Sequence, residues 1–103
     1  KRASMGVART GGIAENNSGD IFIAFSTANE GAAKPEDGVA KLEMLSNDRL
    51  NAVFAATILA TEEAIINALI AADTMVGIDD HKIYELPHDL LIDVMKKYNR
   101  IKK

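Results

Sequence analysis

Cysteine and tryptophan are absent from the 103 residues, and proline (two), tyrosine (two) and phenylalanine (three) are scarce. Without cysteine there is neither a disulfide framework nor a thiolate metal site, which fits a reducing cytoplasm and leaves periplasm or secretion open. An excess of basic charge is missing as well: 15 acidic residues stand against 12 basic ones, for a net charge of −3. Such a chain has no positive field to hold a phosphate backbone, so nucleic acid is not expected as a partner. No charged-then-apolar leader opens the chain. No apolar run is expected to reach the length that crosses a bilayer, because Thr57, Glu62, Glu63 and Asn67 interrupt the longest one, so no membrane partner is expected either. Also missing are a phosphate-cradling glycine loop, a dinucleotide fingerprint, a GxSxG elbow, an internal repeat and a low-complexity tract.

What remains is a chain with 48% hydrophobic residues, enough for the core of one domain and carried by Ala, Ile, Leu and Val more than by aromatics. Its organising stretch is residues 16–29, NNSGDIFIAFSTAN. Strand periodicity would put Asp20, Phe22, Ala24 and Ser26 on one face and Ile21, Ile23, Phe25 and Thr27 on the other. Both faces are mostly apolar, the pattern of an interior strand covered on two sides in a layered α/β protein. Ser18 and Asp20, spaced i, i+2 at the start of that strand, would project to the same side. Gly19 between them would let a second backbone or a substrate come close. Spacing alone favours a plain reading of this pair as a capping serine and a solvated aspartate.

The same residues, with ARTGG at 8–12 before them and ATEEAIINAL at 60–69 after them, resemble the self-processing L-aminopeptidase/D-esterases and β-peptidyl aminopeptidases. Three blocks in the right order carry the likeness across residues 2–98. In that family a precursor cuts itself into an α chain and a β chain, and the β chain begins with the nucleophilic serine on a strand. The resemblance therefore implies that residues 1–103 are the C-terminal, β-chain part of one domain, with the nucleophile upstream of Lys1. It implies a four-layer α/β/β/α sandwich completed by a companion α chain, and a homo-oligomer of αβ units. The substrates it implies are short peptides, amides or esters, and no metal or organic cofactor is called for. It also reverses the plain reading of the pair. The family's second active-site serine falls on Ser18 and its partner carboxylate on Asp20, where some relatives carry Glu. Ser18 would hydrogen-bond the nucleophile, and Asp20 would accept from the same hydroxyl network. Whether the final base is Asp20, Ser18 in relay or the nucleophile's own α-amine stays open. A backbone N–H near Ser18 and Gly19 is a candidate donor to the oxyanion. Two rival functions are a non-catalytic binding or assembly domain of the same fold and an acyltransferase of related architecture.

Along the chain, residues 1–10 predict the tail of a helix, expected to continue upstream of Lys1 and stopped by Gly11 and Gly12. A glycine-bearing anion turn at residues 9–12 is the weaker alternative there. Residues 13–17 are a polar connection with two turn-prone asparagines, 28–38 a loop, and 39–45 a short second strand. Ser46 or Asn47 offers an N-cap for a helix or tandem helices over residues 48–75, with Asp48 in the first turn. That helix is apolar nearly all round, so it is expected to be buried against a layer this chain cannot itself supply. Glu62, Glu63 and Asn67 on it are assigned structural roles. Residues 78–85 form a charged link, extended at 82–84. Asp79, Asp80 and His81 there are adjacent loop residues and not a metal cluster. Pro87 suits the first turn of a last helix, with Leu90, Leu91, Val94, Met95 and Tyr98 as its buried face.

Overall fold

The computed structural model describes residues 1–34, 36 and 38–101; Pro35 and Asp37, part of the loop expected at 28–38, lie outside the described residues. The chain divides into two compact units, Lys1–Thr61 and Glu62–Lys103.

In the first unit, α1 (Arg2–Arg9) runs into a glycine stop, as expected. The Gly12 N–H donates to the Val7 carbonyl and the Gly11 N–H to the Ala8 carbonyl, both at 3.1 Å, and Gly11 takes φ 98°. This is the Schellman closure, and its left-handed position is why a residue without Cβ stands there. Ala3, Gly6, Val7 and Thr10, at helical three-four spacing, are the covered side of α1. Of these, Gly6 lies against Ile58 and Thr61 of α2 (Leu50–Ala71), which follows a 3₁₀ turn over Asn47–Arg49. Ser46 stands at the N-cap of that turn, but its side chain makes no capping bond. Leu50, Phe54 and Ile58 of α2 are half-buried, and the Arg2 guanidinium lies 4.4 Å from the Phe54 ring centroid.

Gly6 is where the two helices come closest. A Cβ there would sit 2.5 Å from Thr61 Cβ and 2.8 Å from the Ile58 carbonyl oxygen. Since one of the two is backbone, Gly6→Ala is expected to lose more by the clash than the roughly 1 kcal/mol it gains in helix propensity. The net cost is about 1–2 kcal/mol. Thermal unfolding of the full-length protein checks this; a Tm equal to or above that of the parent would show that the helices can separate without cost.

The second unit holds the end of α2, a small antiparallel hairpin and α3 (His88–Lys97). The hairpin pairs β1 (Met75–Val76) with β2 (Lys82–Ile83), Met75 opposite Ile83 and Val76 opposite Lys82. Its loop contains a 3₁₀ turn at Ile78–Asp80, with Asp79 and Asp80 in left-handed conformation (φ 54° and 57°), which Asp tolerates better than most residues. The expected helix over 48–75 therefore ends sooner, at Ala71, because Glu85 competes for the chain beyond it. The Glu85 carboxylate accepts from the Thr74 N–H (3.2 Å) and hydroxyl (3.3 Å), and the Glu85 N–H donates to Thr74 Oγ1 at 3.1 Å. His88 Nε2 lies 2.9 Å from the Ile70 carbonyl and satisfies one of the orphan groups at the end of α2. Pro87 is the N-cap of α3, one position before the expected first turn. A second Schellman closure ends α3, with Asn99 at φ 54° in the glycine position.

Two expectations are corrected. Residues 18–27 and 39–45 are not strands here: the two-stranded β1–β2 sheet is the only sheet among the described residues. A strand exists only by pairing, and among the described residues nothing pairs with either segment. Ile21, Ile23 and Phe25 are accordingly 89%, 86% and 89% exposed. The second correction concerns length. By length and composition, Asn47–Ala71 is a helix long and apolar enough to cross a membrane. Glu62 and Glu63 near its middle are costly in hydrocarbon, and Gly6 and Arg2 already sit on its first half, so it is read as a helix that packs on protein.

The face expected to be buried on α3 is only partly covered: Leu91 and Met95 are half-buried, while Leu90, Val94 and Tyr98 are exposed. Among the described residues no hydrophobic side chain is fully buried. The chain exposes 9901 Å², where surface scaling gives roughly 5,700 Å² for a self-contained globular protein of this size.

Candidate functional site

The residues singled out at 18–20 fall where α1 stops and the chain folds back. After Gly11 and Gly12 turn the backbone, Ala14 takes a left-handed conformation (φ 52°). A tight turn follows over residues 15–18, closed by the Ser18 N–H donating to the Glu15 carbonyl at 2.9 Å, with Asn17 at φ 72° in the third position. A positive φ there marks a type II turn, which asparagine accepts at little cost. Asn16 and Asn17, the turn-prone pair of the connecting segment, occupy the two central positions of this turn.

The double reversal makes an open cleft of about 270 Å³ between the end of α1 and the returning chain. Ser18 and Asp20 both line it, together with Val7, Gly12, Ile13 and Glu15. The structure thus brings the serine and the carboxylate of the i, i+2 pair to one cleft. Both are exposed, and among the described residues neither side chain has a hydrogen-bond partner. A free hydroxyl and a free carboxylate lining one cleft can accept and relay a proton to a group brought in from outside. Neither can serve as an activated nucleophile unaided, because Ser18 has no base bonded to it.

Gly19 is not part of the cleft wall, and no atom of the chain would come within 4 Å of a Cβ placed there. Of the two backbone donors considered for an oxyanion, that of Ser18 is already engaged by Glu15, which leaves the Gly19 N–H. The anion-turn alternative at residues 9–12 is removed in the same way. The N–H groups of Thr10, Gly11 and Gly12 all point back at carbonyls of α1.

Glu15 lines the cleft and was not singled out from the sequence; its signal is the four-residue turn that ends on Ser18. Glu62 is half-buried and Glu63 exposed on α2, and Asn67 is exposed. Among the described residues no group of three or more His, Asp or Glu side chains converges as a metal site. Asp79, Asp80 and His81 serve the hairpin loop, where the Gly77 N–H donates to the His81 carbonyl at 2.7 Å.

Comparison with known proteins places this geometry in context. Residues 1–83 match Peptidase family S58. The chain is 46% identical over 101 residues to the β-peptidyl aminopeptidase BapA of Sphingosinicella microcystinivorans and 40% identical over 100 residues to that of Sphingosinicella xenopeptidilytica. These alignments take in 98% and 93% of this chain but 26% and 24% of the relatives, so the chain spans about a quarter of their length. Among solved structures it is similar to the PH0078 protein from Pyrococcus horikoshii OT3, with a TM-score of 0.83 and 46% identity over 97% of this chain and 28% of that one. It is likewise similar to the L-aminopeptidase D-Ala-esterase/amidase of Ochrobactrum anthropi, described as a prototype serine aminopeptidase and a variant of the Ntn hydrolase fold. There the TM-score is 0.78, with 39% identity over 98% of this chain and 29% of that one.

Proposed function

Taking as premise that this chain belongs to Peptidase family S58, we propose that it is the β-chain portion of a self-cleaving serine aminopeptidase and that Ser18 and Asp20 are its share of the active site. The observation that carries this reading is the cleft at the end of α1, which Ser18 and Asp20 both line and where, among the described residues, neither side chain has a hydrogen-bond partner.

In this reading a serine hydroxyl provided by the segment that precedes Lys1 attacks the carbonyl carbon of a substrate's first residue. Ser18 accepts a hydrogen bond from that hydroxyl or donates one to it, and Asp20 draws the network's proton density toward its charge, so the proton leaves the attacking oxygen as the C–O bond forms. The proton passes to the departing amine, an acyl-enzyme remains, and water releases it by the same steps in reverse order. The Gly19 N–H is a donor available to the oxygen on which charge develops. Peptides, amides and esters with a free first residue are the proposed substrates, following the activities named for the relatives. No step here requires a metal or an organic cofactor.

The uncovered apolar surface supports a companion chain as the second layer. Ile21, Ile23 and Phe25 on one segment and Val53, Leu59, Ile66 and Leu69 on α2 are all exposed. A chain that belongs to a folded enzyme family cannot leave such a surface in water without large cost. The proposed arrangement is a four-layer sandwich in which the companion chain supplies the strand neighbour that residues 18–27 lack among the described residues, and a homo-oligomer of αβ units.

The role of Asp20 is tested by Asp20→Asn in the full-length protein, measured on an aminoacyl p-nitroanilide. Losing the charge from a hydrogen-bonded network is worth about 1.5–3 kcal/mol, so kcat/KM is expected to fall between about tenfold and a hundredfold. Asp20→Glu should keep most of the activity, since the charge survives with a longer reach. A wild-type rate in Asp20→Asn would remove the carboxylate from the mechanism.

A further inference from the structure

The Asn29 side chain trades two hydrogen bonds with the backbone of Glu43. Its Nδ2–H donates to the Glu43 carbonyl at 3.2 Å, and the Glu43 N–H donates to its Oδ1 at 2.7 Å. These are the two backbone groups that a strand neighbour would engage in an antiparallel rung, and the side-chain amide carries the matching acceptor and donor. Asn29 is half-buried between exposed residues, and its own carbonyl accepts from the Ala32 N–H at 3.2 Å, so the residue is held by main chain and side chain together. It stands at the far end of the apolar segment that begins with Ser18 and Asp20, and Glu43 belongs to the second apolar segment, residues 39–45.

Side chains along a strand alternate between faces, so a slip of a single residue would carry Ser18 and Asp20 to the wrong side of a sheet. Neither apolar segment has a ladder of its own to resist such a slip, and the Asn29 exchange is the bond that ties one to the other among the described residues. We infer that Asn29 is a positioning residue: its amide pins residues 18–28 against residues 39–45 in one register as they enter the sheet, and so fixes the face on which Ser18 and Asp20 stand. The inference rests on the proposed roles of those two residues and deepens them. Asparagine suits the task because its amide reaches Glu43 with both groups; aspartate at the same reach keeps the acceptor for the shorter bond and loses the donor.

The test uses the full-length protein with Asn29→Ala and Asn29→Asp, reading amide hydrogen exchange at Glu43 together with kcat and KM on an aminoacyl p-nitroanilide. Asn29→Ala should speed exchange at Glu43 about tenfold, as expected for two lost neutral hydrogen bonds. It should lower kcat by a similar factor at unchanged KM, because molecules out of register are silent while the rest bind normally. Asn29→Asp should recover much of both. Unchanged exchange in Asn29→Ala overturns the pin itself. Raised exchange with a wild-type kcat overturns the link to register. Failure of the underlying site reading looks different: Ser18→Ala would then be fully active while exchange at Glu43 in Asn29→Ala was still raised.

Discussion

Ser18→Ala in the full-length protein is expected to lower hydrolysis of an aminoacyl p-nitroanilide by about two to four orders of magnitude, the range over which a positioned proton-transfer group acts. Cleavage of the precursor should slow in parallel, because self-cleavage and turnover are proposed to use the same hydroxyl network. The loss should appear in kcat. Ser18 is exposed and its side chain has no hydrogen-bond partner among the described residues, so stability should change by no more than about 0.5 kcal/mol. That separates a chemical role from a structural one: a large fall in rate at constant Tm supports the assignment. A rate within a factor of two of the parent, for both cleavage and turnover, would leave Ser18 with a structural role alone, that of closing the turn through its N–H bond to the Glu15 carbonyl.

The second large effect concerns the chain by itself. Residues 1–103 produced without any companion segment are expected to show no cooperative unfolding transition and to bind a hydrophobic dye strongly. Ordering each residue costs about 1–2 kcal/mol of backbone entropy, and apolar burial is the main term that offsets it. Here no described hydrophobic side chain is fully buried and 9901 Å² faces solvent, so the offset is missing. Supplying the rest of the polypeptide should restore one cooperative transition. A sharp two-state urea transition from the isolated chain, with a slope of about 1 kcal/mol/M or more, would show that it buries a core of its own.

How much of this could be read beforehand depended on whether the cause was local. The stop of α1 at Gly11 and Gly12, the turn at Asn16 and Asn17 and the position of α3 after Pro87 are all consequences of a few adjacent residues, and each is where the residues put it. The end of α2 falls short of the expected position because its cause is Glu85, eleven positions from the Thr74 it binds. The apolar alternation of residues 18–27 is real, but alternation describes what a segment could pair with, and no partner for it is among the described residues. In the site, spacing alone placed Ser18 and Asp20 on one side and favoured a bland role. Resemblance to a family supplied the chemistry, and the folded turn supplied the shared cleft. Glu15 escaped notice because only the turn brings it alongside Ser18. The apolar character of α2 was legible; what covers it was not.

The central claim is that Ser18 and Asp20 complete an active site whose attacking serine heads the polypeptide to which they belong. Intact masses and N-terminal sequences of every polypeptide in the purified, active full-length protein test it most directly. The account predicts two fragments, the smaller beginning with a serine shortly upstream of Lys1. A single uncut polypeptide that turns over substrate at full rate would contradict it.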